Sequence, residues 1–374
     1  MFYFNDFPRF FENMCDHEIV QNSCLHGGAS IPSLLIEGNA MYPQFCTPNA
    51  LLGQDGDGNP IYDFGACTVP QLLLGYDDRL HDPGYAVPVN DETNINGTTS
   101  STSTGVMEMS NPCHAEAAYL EYAIETFSSH VTTNPSGHWD YVMINDNTRN
   151  PAQAHTRAHA LQTIERFYVP WFLETGATPV FLWTHAYTPA TEGECSTTTT
   201  ANSPQNNKRD MTGLEDVANF TSLTRVGYQA YADLLQLYLP RAQHPRIAPV
   251  GLAFLVVHEE NFETWQRLFH CDGIHASPSG TFLQGCIIYH TLFGTMPDHD
   301  FVVRKNMPSL WKRARMMQHV WEPSNPFPDE ETAEYLYTVA ERVMNEGYVP
   351  KSFINYQNGE VAYSAAAAAS EKTN

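Results

Sequence analysis

Basic residues are scarce in this chain: 19 Lys and Arg stand against 42 Asp and Glu, a formal net charge of −23. A surface of that sign repels phosphate backbones and anionic lipid headgroups, so no nucleic-acid partner is expected. Long apolar runs are missing too. No stretch approaches the roughly 20 residues that span a bilayer, and the N-terminus has neither a basic start nor an apolar signal core. The chain therefore reads as soluble, with no membrane span. Its eight cysteines include no Cys-x-x-Cys pair, which disfavours a zinc ribbon or a thioredoxin-type redox site. No internal repeat stands out.

The 374 residues, 42% of them hydrophobic, suffice for a substantial core and read as one domain with insertions. The α/β domain is expected over residues 1–300, with polar insertions at about 48–110 and 192–210, where Gly, Asp, Asn, Pro and Thr displace apolar periodicity. A helical extension over 301–350 and a disordered tail over 351–374 follow. The even cysteine count, many Thr, Ser and Asn, and the sequons Asn96-Gly97-Thr98 and Asn219-Phe220-Thr221 favour an extracellular or secretory-pathway setting.

Along the chain, Asn5–Met14 reads as a helix with Pro8 in its first turn. Glu18–Cys24 reads as a short strand running into His26-Gly27-Gly28-Ala29-Ser30. Asn111-Pro112 opens a helix carrying Ala118, Tyr119, Tyr122, Ala123 and Phe127 on one face. Asp140–Ile144 and Thr178–Trp183 are apolar enough for buried strands, and Gln153–Thr175 is a helix closed by Gly176. A helix over Arg225–Tyr238 precedes Arg246–Val250, either a strand or a turn into the next helix. Ser277 caps a helix with Pro278 at its first position and Gly294 at its end; Pro308–His319 and Asp329–Met344 are further helices. Strands alternating with helices imply a mostly parallel sheet between helical layers, a three-layer α/β/α sandwich of flavodoxin-like style.

Chemistry-bearing residues gather where such sheets place ligands, at the carboxyl ends of strands. In Cys271-Asp272-Gly273-Ile274-His275-Ala276-Ser277-Pro278-Ser279-Gly280 the Asp stands three residues ahead of the His. That spacing lets the carboxylate fix the imidazole tautomer and leaves the far nitrogen to take a proton from a nucleophile. Gly28 follows the first strand and Asn145-Asp146-Asn147 follows the second. A glycine N–H and a carboxamide are neutral donors suited to a developing oxyanion. The bland alternatives are a surface hydrogen bond for Asp272 and His275, a tight turn for Gly28 and a helix cap for Asn147. A metal reading draws on His270, Asp272, His275 and Glu259, but no helical His-x-x-x-His face supports it, and no metal or other cofactor is expected. Ser30 lies beyond the glycine turn rather than in a strained elbow, which argues against its being the nucleophile. His185 is read as a pocket-lining or structural residue, and Trp183 and Tyr187 as core aromatics with the option of stacking on a sugar ring.

Strand-Gly, strand-Asn and Asp-x-x-His in this order resemble the second, third and fifth signature blocks of the SGNH hydrolase superfamily, the GDSL-type esterases and lipases. The likeness covers about residues 1–30, 111–190 and 225–297, and its strongest element runs from Leu268 to Thr281. It implies serine-mediated ester hydrolysis with His275 as base and then acid, Asp272 orienting it, and Gly28 with Asn147 as the oxyanion donors. The substrate would be a small-molecule or carbohydrate ester carrying an acyl or acetyl group. The third block usually reads Gly-x-Asn, so Asn145 departs from the pattern; Asn147 matches by position and Asn145 is the fallback donor. The first block, Gly-x-Ser closing the first strand, would fall at or just before Met1. The expectation is thus a chain lacking its first strand and nucleophile, truncated and inactive as given. The alternative is a non-catalytic protein of the same fold that binds carbohydrate or acyl groups. Oligomeric state has no sequence signal.

Overall fold

The computed structural model describes residues 7–19, 21, 23–24, 28–37, 51–54, 60–62, 69–74, 139–188, 213–270, 272–305, 307–311 and 327–354. They fall into two compact units. The first comprises Met1–Ile19, Tyr141–Ala158 and Thr178–Asn374, and the second Val20–Asp140 and His159–Ala177.

The described elements in chain order are α1 (Phe7–Met14), α2 (Ile31–Glu37), β1 (Leu51–Gln54), β2 (Pro60–Tyr62), α3 (Val69–Leu74), β3 (Tyr141–Ile144), α4 (Arg149–Ala152), α5 (Ala154–Thr163), α6 (Val169–Thr175) and β4 (Thr178–Leu182). Then come α7 (Val217–Tyr238), β5 (Arg246–Ala248), α8 (Val250–Glu260), α9 (Phe262–Arg267), α10 (Pro278–Phe293), α11 (Met307–Leu310) and α12 (Glu330–Asn345). The protein is an α/β chain, mostly helical among the described residues.

In the first unit β3, β4 and β5 form an open parallel sheet in that order, with Met143 opposite Val180 and Phe181 opposite Ile247. Val180, Phe181 and Leu182 are fully enclosed, as an apolar strand covered on both faces must be. The ladder extends past β4 and β5, because Trp183 N–H reaches the Ala248 carbonyl at 3.1 Å. Gly251 lies so close to this edge that a Cβ would sit 2.6 Å from the Thr184 carbonyl oxygen. Helix α10, buried over nearly its whole length, starts at the Ser277 cap and ends at Gly294 in the left-handed region (φ 77°). Helix α1 packs on it where Gly285 leaves room for Phe10 and Met14, and Phe10 also meets Trp311 with ring centroids 4.4 Å apart. Helix α12 belongs to the same unit: the Tyr337 hydroxyl donates to the Pro297 carbonyl, and Arg342 grips both carboxylate oxygens of Glu260. No helix among the described residues is long and apolar enough to cross a membrane.

In the second unit β1 and β2 pair antiparallel, so the polar stretch expected as an irregular insertion contains a short ribbon and the helix α3. The Trp139 indole donates to the Leu72 carbonyl at 2.7 Å.

Several expectations need correction. The described residues of 18–24 form no strand. Ile19 and Val20 are its only β-branched residues, and Gln21, Asn22 and Ser23 have no apolar alternation to hold a ladder. The helix expected over Gln153–Thr175 is interrupted by a π-helical turn, Ile164–Tyr168. Pro170 lacks an N–H for the i−4 carbonyl, which accounts for a wider turn just before it. Helix α7 starts at Val217, eight residues earlier than expected, because Asp216 caps it through the Asn219 N–H at 2.7 Å. The Asn219 sequon therefore sits in the first turn of a helix, with Phe220 and Thr221 buried and the Asn219 amide donating to the Gly213 carbonyl. Cys15 and Cys286 are buried as free thiols, burial pushing Cys15 up to about 12. The expected helix near Ala118, the Asn96 sequon, the 192–210 insertion, most of Pro308–His319 and the Ala365–Ala369 tail lie outside the described residues.

Candidate active site

The Asp-x-x-His loop is built by a short antiparallel bridge between Phe269 and Ala276. Across it His270 N–H donates to the His275 carbonyl at 2.8 Å, and Ser277 N–H to the Leu268 carbonyl at 2.9 Å. Gly273 closes the turn with φ 68°, a conformation costly for any residue with a Cβ, and its N–H reaches the His270 carbonyl at 2.9 Å. The loop then runs straight into α10. Ser277 Oγ accepts the Gly280 N–H at 3.2 Å and donates to the Arg267 carbonyl at 2.5 Å, so one hydroxyl caps the helix and ties it to the end of α9. A Cβ on Gly280 would lie 2.2 Å from the Leu268 carbonyl oxygen, which explains the glycine.

Within this frame Asp272 serves two purposes. Its Oδ1 accepts the backbone N–H groups of Ile274 (2.8 Å) and His275 (3.0 Å), fixing the turn. Its Oδ2 stands 2.5 Å from His275 Nδ1. His270 Nδ1 approaches the same oxygen to 3.6 Å, an electrostatic contact rather than a hydrogen bond. Burial alone would raise the Asp272 carboxyl, but the flanking His270 and His275 side chains outweigh it and hold the group well below the usual carboxylate range. Burial also pushes the His275 imidazole down, against the Asp272 carboxylate, which raises it. At neutral pH the pair is thus a carboxylate facing a neutral imidazole, so the proton sits on Nδ1 and the lone pair on Nε2. The His275 side chain remains 31% exposed.

The loop docks on the carboxyl edge of the sheet. Thr188 N–H donates to the Gly273 carbonyl at 3.0 Å, and His185 Nε2 lies 2.9 Å from the Ile274 carbonyl. The Ile274 side chain fills a cluster with Ala152, Ala186, Tyr187, Leu214 and Phe220. Asn147 stands on the same edge, just past β3, the strand next to β4. It opens α4: its side-chain oxygen accepts the Arg149 N–H at 3.3 Å and its carbonyl the Asn150 N–H at 2.8 Å.

Sequence reasoning passed over the residue that holds Asn147, which is Asp146. This buried carboxylate accepts the Asn147 N–H (2.8 Å), the Asn150 amide (3.0 Å) and the Tyr231 hydroxyl (3.0 Å), while its own N–H donates to the Tyr228 hydroxyl (3.1 Å). The available signal was the pair Tyr228 and Tyr231, three residues apart on one face of α7.

Asp272, His275 and Asn147 therefore belong to the first unit, and Gly28 to the second. Gly28 is exposed, with φ 76°, the left-handed geometry that its place in a glycine pair suggested. Ser30 is committed to capping α2: its hydroxyl accepts the Ser33 N–H at 3.1 Å, and its carbonyl the Leu34 N–H at 2.9 Å. Glu259, offered for a metal, instead accepts the Ser352 N–H and hydroxyl. No group of three His, Cys, Asp or Glu among the described residues is placed to hold a metal ion. Trp183 and Tyr187 are core residues, the indole donating to Thr224 Oγ1 at 3.0 Å and the phenol ring set edge-on to Phe220, so neither presents a face to a sugar. His185 has no solvent exposure and lines no surface. The chain matches no family model, no curated protein and no solved structure.

Proposed function

We propose that this chain carries the acid–base half of an SGNH-type ester hydrolase. The observation behind the reading is the Asp272–His275 pair: Oδ2 and Nδ1 lie 2.5 Å apart on a loop tied to the carboxyl edge of a parallel sheet, with Asn147 on that same edge. In this reading the fold completes to a three-layer α/β/α sandwich, and the serine lies upstream of α1.

The serine hydroxyl gives its proton to His275 Nε2 as Oγ attacks the ester carbonyl carbon, and Asp272 steadies the imidazolium. The carbonyl oxygen becomes an oxyanion that the Asn147 amide stabilises. His275 returns the proton to the departing alcohol, leaving an acyl-serine. Water, deprotonated by the same nitrogen, releases the acid. The substrate class is an acyl or acetyl ester.

Hydrolysis of a p-nitrophenyl acyl ester tests the reading, comparing this chain with a version extended by its in-frame upstream segment. Turnover in the longer version, abolished by His275→Ala and reduced about 10²–10³-fold by Asn147→Ala, supports it. An upstream segment without Gly-x-Ser, or turnover indifferent to His275, overturns it and favours a binding protein of the same fold. The proposed secretory setting rests on composition and is tested by a glycosidase-sensitive mobility shift.

A further inference from the structure

His185 is a fully buried imidazole that the proposed chemistry leaves unused, and its surroundings are specific. It follows β4, has no solvent exposure, stacks on Phe254 (centroids 4.3 Å apart, planes 9° apart) and meets the edge of Phe269. Its Nε2 lies 2.9 Å from the Ile274 carbonyl. A carbonyl only accepts, so Nε2 carries the proton. Nδ1 is then a bare lone pair, and it is buried with no hydrogen-bond partner. A second proton on Nδ1 would be a buried donor without an acceptor, so the site holds one tautomer of the neutral ring.

Ile274 lies between Asp272 and His275, and its own N–H is held by Asp272 Oδ1. The peptide that His185 grips at its oxygen is the one whose N–H, on His275, also binds Asp272 Oδ1. One side of that peptide plane is thus fixed by the sheet edge and the other by the carboxylate. Rotating the plane would break both bonds and carry the His275 ring away from Oδ2.

We propose that His185 is a positioning residue for the Asp272–His275 pair, setting the orientation of the Ile274–His275 peptide through its Nε2–H. The role rests on the dyad reading, but its test requires no turnover. In the unmodified 374-residue chain, the short Nδ1–H bond of His275 gives a far-downfield proton resonance protected from solvent exchange. His185→Phe keeps the stack on Phe254 and removes the donor; the resonance broadens, and the Ile274 and His275 amides exchange roughly tenfold faster or more. His185→Gln and His185→Asn give a matched pair in case the Phe variant fails to fold. Gln places an amide N–H near the position of Nε2 and retains the resonance, whereas Asn places it near Nδ1 and loses it.

Equal behaviour of the Gln and Asn variants, or an unchanged resonance in a folded Phe variant, overturns the proposal. Absence of the resonance from the unmodified chain overturns the dyad geometry and this role with it. A failure of ester hydrolysis in the extended chain leaves the positioning result standing.

Discussion

Asp272→Asn separates the two purposes of one carboxylate. Asparagine has the same shape, so its oxygen can still accept the Ile274 and His275 N–H groups that Oδ1 holds at 2.8 and 3.0 Å. Its amide nitrogen then takes the place of Oδ2, 2.5 Å from His275 Nδ1. Two donors cannot face each other, so the His275 proton moves to Nε2 and the base nitrogen is occupied. Losing a hydrogen bond to a charged group costs roughly 1.5–3 kcal/mol.

The sign with pH follows from the depressed Asp272 carboxyl. Its stabilisation is fully present above the unfolded value of about 3.9 and drains as pH falls below that, towards the lower folded value. Urea denaturation is therefore expected to show the variant less stable at pH 7 by roughly 1.5–3 kcal/mol, with the gap narrowing by about 1 kcal/mol at pH 3. Nitrogen-15 shifts of His275 report the tautomer directly, and in the extended chain hydrolysis falls on the order of 10⁴-fold. A gap that does not change with pH, or a variant that keeps the proton on Nδ1, would refute the reasoning.

Three further outcomes are expected. Gly280→Ala gains up to about 1 kcal/mol of helix propensity but places a Cβ 2.2 Å from a backbone oxygen, and overpacking costs roughly 1–3 kcal/mol, so thermal melting should show net destabilisation. Asp146→Ala strips the acceptor from Asn147 N–H, the Asn150 amide and the Tyr231 hydroxyl; a loss of roughly 1–3 kcal/mol in denaturation, with faster exchange at the Asn147 amide, checks it. Burial lowers His185 to about 4, so its stabilising share is present above the unfolded value of about 6.5 and drains between there and about 4. The stability difference between the unmodified chain and His185→Gln should therefore shrink over that window by on the order of 3 kcal/mol; a flat difference contradicts the assignment.

What the sequence made legible was carried by short-range physics. Strands β3 and β4, the cap at Ser277, Pro278 in the first turn and the Gly294 stop each depend on neighbours within a turn or two, and each appeared where expected. The Asp272–His275 contact belongs to the same kind, being three residues apart. The described residues of Glu18–Cys24 form no strand because two β-branched residues cannot outweigh three polar neighbours, and the π turn before Pro170 depends on the N–H that proline lacks rather than on any apolar pattern. His185 was out of reach for a different reason: its partner is a carbonyl 89 positions away, and a carbonyl leaves no mark in a sequence.

That distinction bears on how the loop holds its shape. A three-residue Asp-to-His spacing permits many turns, and a carboxylate that bonds two amides narrows them. Further contacts select one: Thr188 on the Gly273 carbonyl and His185 on the Ile274 carbonyl reach in from elsewhere in the chain, and His270 holds the His275 carbonyl across the loop's own bridge. The first two holds come from the segment that continues β4, so the imidazole takes its orientation from the sheet edge. A substitution at that edge should therefore change the His275 tautomer or its solvent exchange without touching Asp272 or His275, whereas one on the exposed face of α7 should leave both as they are.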